Sequence, residues 1–450
     1  MPREFKRVRY SYKSIMVTTQ SLNEASTTTL LAITFDYDSS GKEDHLLYYA
    51  PGTGQVTIYK TNGDGTFAKV YSQISSNPGF GAGNVDLTNP GDRVIAFDFL
   101  GNDKLDHLLC YRPNSGDVNP GLVSILQKNS DGTFQAVFTS NQGIGKYNLA
   151  NPIDKIVAFD YLSSGKLDHL VCYRSHEGIC WILQNNKGNF SAVYQNDGQG
   201  IGGYNLLCDS NHQDLIFAYD YSGNGHLDHL VCYCPGLGAI YIIENDNGIF
   251  KPTSMQQGYG GSGIGTFDLG NNLDRIIAYD YAGSGSQDHL LCYRPGTGLV
   301  YILQNINGAF SPVYPSNGSG TPPDGIGGYM LDNADACIIA YDYSSSGHED
   351  YLFCYRTAGN ASIITVTVQN YATVAVAVVQ NKQVLVTLPP APSSTQPSSA
   401  QVQVDSTAEV LLQEPGNWYA VCSVAPNTVK NGSTIMNNVT WGSNVACNIQ

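Results

Sequence analysis

The chain has 450 residues, with 48 glycines, 30 tyrosines and only 14% charged residues. Its formal net charge of −15 would repel a phosphate backbone, so no nucleic-acid partner is expected. No stretch reaches the roughly 18 apolar residues of a membrane helix, so no membrane span is expected either.

The N-terminus carries Arg3, Lys6, Arg7, Arg9 and Lys13 without a following apolar run, which does not read as a secretory signal. The expectation is a soluble chain, cytoplasmic or exported by a non-classical route. Tyr10 to Val17 reads as a strand. After it a pattern opens six times, at Phe35-Asp36, Phe97-Asp98, Phe159-Asp160, Tyr219-Asp220, Tyr279-Asp280 and Tyr341-Asp342. Each copy gives an apolar strand ending in Asp, then a polar glycine turn. A second strand follows, such as Asp288 to Arg294, then a third such as Leu299 to Gln304. An Asn/Gly hairpin leads into a fourth, such as Phe310 to Tyr314. Four short strands per repeat make a propeller blade, which buries its faces only by stacking on neighbours.

The sixth copy ends after its third strand, Ser362 to Gln369. The N-terminal strand stands at the spacing of the missing fourth and is expected to close the ring. The fold expected is therefore all-β: a six-bladed β-propeller over residues 1–370, with room in the tail for a seventh blade. Pro389 to Ala400 reads as a Pro/Ser-rich linker inside a small C-terminal β-domain, residues 371–450.

Eleven cysteines do not read as a disulfide framework. Cys110, Cys172, Cys232, Cys292 and Cys354 share one repeat position, held by Tyr48 in the first copy, and read as small buried hydrophobes. Cys422 and Cys447 could pair in an oxidising compartment.

The first turn, Asp36-Tyr37-Asp38-Ser39-Ser40-Gly41-Lys42-Glu43-Asp44, sets oxygen donors at alternate positions around a glycine, which suits calcium held by Asp36, Asp38, Ser40 and Asp44. The competing reading has the first and last aspartates bracing the turn through backbone N–H groups. Third-position Leu100, Leu162 and Ala282 cannot ligate. Together with Asn62-Gly63-Asp64-Gly65-Thr66-Phe67, this turn resembles the FG-GAP/VCBS repeats of integrin-α-like propellers. The resemblance covers about residues 10–370. It implies a propeller, sometimes calcium-bearing, and is similar to fungal lectins of the Psathyrella velutina type and to scaffold regions of toxins and adhesins.

His45, His107, His169, His229 and His289 each follow the turn's last Asp. Neighbouring strand residues point to opposite faces, so each Asp-His pair is not expected to be a preformed catalytic dyad; the histidines read as packing or hydrogen-bonding between blades, with a metal ring lining the channel as the alternative. Arg112, Arg174, Arg294 and Arg356 end the second strands, as inter-blade salt-bridge formers or polar contacts in a ligand groove. Trp181, Tyr241 and Tyr301 on third strands, with Tyr147 and Tyr204 in glycine loops, are the aromatic set that could stack on sugar rings. No nucleophile elbow, phosphate loop or HExxH occurs, and uniform blades argue against an enzyme. The functional expectation is a multivalent, lectin-like glycan-binding module with sites between blades built from Arg112, Arg174, Arg294 and these aromatics. The alternative is a protein-interaction or toxin-targeting scaffold.

Overall fold

Runs of β-branched and aromatic residues, cut short by glycine turns, give short strands and no helix among the described residues. The computed structural model describes side chains within residues 29–357, apart from 64–65, 74–77, 115–120, 256–261, 315–324, 327–328 and 330. Within 13–21 and 362–447 it describes strands only. The expected linker, the basic N-terminal residues and a Cys422–Cys447 bridge lie outside the described side chains.

The chain divides into two compact units, Thr19–Ile364 and Met1–Thr18 with Thr365–Gln450. A strand, β1 (Lys13–Ser21), precedes the first blade. Five consecutive four-stranded antiparallel sheets follow. The first is β2 (Leu31–Phe35), β3 (His45–Ala50), β4 (Gln55–Thr61) and β5 (Phe67–Gln73). The second is β6 (Arg93–Phe97), β7 (His107–Pro113), β8 (Gly121–Lys128) and β9 (Phe134–Ser140). The third is β10 (Lys155–Phe159), β11 (His169–Arg174), β12 (Ile179–Asn186) and β13 (Asn189–Asp197). The fourth is β14 (Leu215–Tyr219), β15 (His229–Cys234), β16 (Ala239–Asp246) and β17 (Ile249–Gln256). The fifth is β18 (Arg275–Tyr279), β19 (His289–Arg294), β20 (Leu299–Ile306) and β21 (Ala309–Tyr314). These sheets are the blades of a five-bladed propeller arrangement. An antiparallel pair, β22 (Ala336–Tyr341) and β23 (Tyr351–Arg356), comes next, and β24 (Ser362–Asn370) after it.

Every complete blade carries a register shift at the same place between its third and fourth strands, for example at Ile182/Leu183 and Ile242/Ile243. A bulge there bends the outer edge and adds twist. The hydrophobic cores lie between blades rather than within them. Phe97, Leu109 and Tyr111 of the second blade pack on Ile156, Leu170 and Cys172 of the third. At the seam between the last pair and the first blade, Tyr48 and Tyr59 meet Phe353 and Tyr355. The five repeat cysteines are fully buried and free, as small hydrophobes.

One hydrogen bond recurs around the ring. The buried tyrosine of each second strand accepts from the next inner strand: Val94 N–H donates to Tyr49 Oη, Ile156 to Tyr111, Ile216 to Tyr173, Ile276 to Tyr233 and Ile338 to Tyr293. Ala32 N–H donates to Tyr355 Oη, and all six bonds span 3.1–3.2 Å.

The second unit contains a sheet in the order β26 (Gln383–Leu388), β25 (Val376–Gln380), β27 (Ala408–Glu414), β28 (Asn417–Val424). Two short hairpins follow, Val429–Lys430 with Ser433–Thr434 and Val439–Trp441 with Val445–Cys447. No helix among the described residues is long and apolar enough to cross a membrane.

Candidate functional site

The aspartate that ends each inner strand is buried and spent on its own turn. Asp36 accepts Ser40 N–H at 2.8 Å and Gly41 N–H at 2.6 Å. Asp160, Asp220, Asp280 and Asp342 repeat the pair of bonds. The other proposed calcium donors face elsewhere. Asp38 meets Lys60 Nζ at 2.6 Å, and Asp44 accepts Ser345 Oγ at 2.6 Å and touches His45. Burial pushes the Asp44 carboxyl up, but its bonds to His45 and Ser345 and the nearby Lys60 charge outweigh this and hold it below the usual range. Lys60 lies 3.8 Å from Asp44 as well, so its ammonium already stands between the two carboxylates. Asp36, Asp38, Ser40 and Asp44 as folded therefore do not fit a calcium ion. Among the described residues, the one acid, histidine and cysteine trio whose ligand atoms lie within 4.8 Å is Cys208, Asp214 and Cys234.

The expectation that Asp and His of each repeat point apart is corrected. Nδ1 of His45, His107, His169, His229 and His289 lies 2.5–2.7 Å from the preceding aspartate in all five blades. The strand begins at the histidine, so the aspartate still belongs to the turn and the two-residue pleat does not apply. Each imidazole packs against the turn's aromatic, as His169 does on Tyr161 at 5.0 Å between ring centres. The five histidines are buried wedges, and Nε2 of His45, His107 and His169 has no hydrogen-bond partner among the described residues.

Arg112, Arg174 and Arg294 are not free for a ligand. Each grips a fully buried aspartate of its own blade with Nε and Nη2: Asp92 at 2.6 and 2.7 Å, Asp154 at 2.7 and 2.9 Å, Asp274 at 2.6 and 2.8 Å. Such two-point pairing fixes the loop that enters the blade. Arg356 pairs with exposed Asp332, because Ala336 stands where the buried aspartate would be.

The loop aromatics lean on the third strand of the blade they enter. Tyr147 packs edge-on to Trp181 at 5.8 Å, Tyr204 to Tyr241 at 5.2 Å and Phe267 to Tyr301 at 6.2 Å. Tyr147 Oη donates to Asp154 at 2.8 Å and Tyr204 Oη to Asp214 at 2.6 Å. Trp181 Nε1 donates to Asp197 at 2.7 Å, and Tyr301 is buried. The glycines that begin these loops are obligatory: a Cβ on Gly143, Gly200 or Gly263 would sit 1.9 Å from the carbonyl oxygen of Tyr147, Tyr204 or Phe267. Tyr147, Tyr204 and Tyr301 therefore pack the blades, and Trp181 and Tyr241 keep partly open faces.

The fourth blade departs from this scheme. Cys234 replaces the arginine, and Tyr204 and Asp214 are ten residues apart where Tyr147 and Asp154 are seven apart. The longer loop brings Cys208 to Cys234, and the two form a disulfide with Cα atoms 6.3 Å apart. The sequence reading named Cys422 and Cys447 as a possible pair and missed this bridge. Asp214, without an arginine, is held by Tyr204 Oη, Ser175 Oγ at 2.6 Å and Cys208 N–H at 3.3 Å. Replacing a long guanidinium by a short disulfide bridge leaves a pocket of about 280 Å³. Tyr204, Tyr241, Leu207, Leu237, Ala239 and Asn205 line it, with the disulfide and Asp214 as floor.

At the opposite end the six aspartate turns surround a second pocket, of about 250 Å³. The residue before each turn's last Asp is Leu105, Leu167 and Leu227 in three copies but Glu43, Gln287 and Glu349 in the others. Thr34 Oγ1 lies 3.2 Å from both Glu43 and Glu349, and Gln287 Nε2 donates to Glu349. Burial raises both carboxyls, Glu349 further because of the neighbouring Glu43 charge. The blades are thus less uniform than their sequence pattern indicates.

No protein-family model matches the chain, and no characterised protein matches it in sequence. Solved structures match its shape. An auxiliary nutrient binding protein from Bacteroides ovatus is 11% identical with a TM-score of 0.44, covering 80% of this chain and 78% of its own. The periplasmic gluconolactonase of Pseudomonas aeruginosa is 11% identical at TM-score 0.37, covering 79% and 99%. The soluble aldose sugar dehydrogenase of Escherichia coli is 10% identical at TM-score 0.38, covering 78% and 99%. Likeness at this level, with TM-scores below 0.5, carries no argument about activity or ligand. The expectation that the chain is not an enzyme is corrected, since enzymes are among the solved structures it is similar to.

Proposed function

We propose that the chain binds carbohydrate, and that the pocket of the fourth blade is the principal site. The observation that carries this reading is the pocket itself. It is walled by Tyr241 and Leu237, and exposed Asn205 and Leu207 stand at its rim. A sugar ring offers an apolar face to an aromatic wall and hydroxyls to an amide, the pairing that small-ligand pockets use for orientation. The equivalent space in the second, third and fifth blades is taken by Arg112, Arg174 and Arg294. The reading is therefore narrower than a module with equal sites in every blade. Its partners are glycans or glycoproteins.

We also read β22 and β23 as the inner half of a sixth blade, with β24 and the N-terminal strand β1 as its outer half. Three features support this: the tyrosine–amide bonds on both sides of the pair, its two-strand count, and the extended backbone of β1 and β24.

A glycan array with the full chain, with and without EDTA, is the test. One related sugar set should bind, Tyr241→Ala should lose it at least tenfold, and EDTA should change nothing. A blank array, or binding indifferent to Tyr241→Ala, overturns the assignment of this pocket and favours a protein partner.

A further inference from the structure

The inner-strand residue paired with each second-strand tyrosine stands at the same place around the central channel: Leu31, Arg93, Lys155, Leu215, Arg275 and Cys337. They are equivalent by register, since Lys155 pairs with Tyr173 and Cys337 with Tyr355, as Arg93 does with Tyr111 and Arg275 with Tyr293. The inner strands are one another's neighbours around the axis. First and third positions of a strand share a face, and here both are only partly buried, so that face borders the channel. Three of the six side chains are cations, in a chain that is otherwise strongly acidic.

None of the three is neutralised among the described residues. Lys155 Nζ donates to the Gln213 amide oxygen at 2.9 Å. Arg275 Nη1 reaches only the carbonyls of Asn272 and Asp274, at 3.3 and 2.9 Å. Arg93 Nε is buried with no partner. The carboxylates just ahead of these strands are unavailable, because Asp92, Asp154 and Asp274 are held by Arg112, Arg174 and Arg294. The cations also feel one another. Burial first, then the charges of Arg93 and Arg275, bring the Lys155 ammonium down to about 7, against the opposing pull of the buried Asp214 carboxylate.

We propose that this part of the channel binds a small multi-oxygen anion, a phosphate or sulfate group, gripped by Arg93, Lys155 and Arg275. Guanidinium groups meet such anions through paired N–H donors, and three cations from different directions suit an anion with several equivalent oxygens. The proposal does not depend on the sugar pocket.

The probe is inorganic phosphate, titrated calorimetrically into the full chain at pH 6.5, with glucose 6-phosphate as a second arm. Saturable binding at one site per chain is expected. Arg93→Gln and Arg275→Gln should each weaken it at least tenfold, whereas Lys146→Gln, on an exposed loop, should leave it unchanged. Tighter binding of the ester would identify a phosphorylated ligand, and equal binding a free anion. Thermal unfolding gives an independent readout. Without anion, Arg93→Gln relieves like-charge repulsion and should match or exceed the wild-type Tm; in 20-fold excess of phosphate over its dissociation constant, the order should reverse. No saturable binding, equal binding to Arg93→Gln, or the same Tm order with and without phosphate would each overturn the proposal.

Discussion

Replacing Tyr173 by Phe removes one oxygen and leaves the ring in place. That oxygen is the acceptor for Ile216 N–H at 3.1 Å, and both residues are buried, at 1% and 5% exposure. The orphaned amide has no water to turn to, and an unsatisfied buried donor costs about 1–3 kcal/mol. Unfolding entropy of about 2.1 cal/mol/K per residue, taken over the roughly 350 residues of the propeller unit, converts this to a Tm fall of about 1–4 °C. Thermal unfolding followed by near-ultraviolet circular dichroism reads that shift, and amide exchange at Ile216 reads its origin. Equivalent changes at Tyr49, Tyr111, Tyr233 and Tyr293 should cost similar amounts. Tyr355→Phe is the decisive member, because its bond to Ala32 joins positions 323 residues apart. If Tyr355→Phe were silent while the other five destabilised, the ring would not be closed by the same physics and the reasoning would fail.

Arg174→Met should destabilise by about 3–5 kcal/mol, since it leaves buried Asp154 unpaired; Arg356→Met, facing exposed Asp332, should cost no more than about 1 kcal/mol. Urea midpoints compare the two, and equal effects would refute the assigned roles. The Cys208–Cys234 bridge spans 26 residues, so chain entropy assigns it about 3.5 kcal/mol. Dithiothreitol should lower the Tm of the wild type by about 5 °C and leave a Cys208→Ala/Cys234→Ala variant unmoved; a reductant-insensitive wild type would show that the bridge does not form. Glu43 and Glu349 have raised carboxyl pKa values, so folding favours their protonated forms. Their contribution is fully present below the unfolded carboxyl range and lost as pH rises through the folded value. Glu349→Gln should therefore flatten the decline in wild-type urea midpoint between pH 4.5 and 8, and an unchanged slope would count against the buried pair.

The strands were legible because each repeat states its turns in glycine and asparagine and its faces in aromatic and branched residues. Leu299, Phe310 and their counterparts stand in strands as their alternation requires. The bracing role of Asp36 was also legible as one of two readings, since a short carboxylate four residues before an amide bonds to it locally. The contact of Asp44 with His45 was not, because it depends on where the strand begins to the residue. Nor was the Cys208–Cys234 bridge. Its signal was present as a lost arginine and three extra loop residues, but both are visible only when the fourth copy is laid on its siblings at Asp214. The charges of the axis escape inspection for a different reason. Arg93, Lys155 and Arg275 are 62 and 120 residues apart, and only the ring geometry places them together.

The seam at Tyr48 bears on how the chain avoids assembling wrongly. Near-identical blades offer near-identical faces, so a blade could dock on the neighbour of its true partner, the error to which repeat proteins are prone. Five faces present a cysteine at the matched position, whereas the first presents Tyr48, seated among Tyr59, Phe353 and Tyr355. A phenol cannot enter a space shaped for a thiol, and a thiol would leave that aromatic nest hollow. The odd residue thus acts as a key: among the possible circular orders of the blades, it favours the one in which the first meets the last.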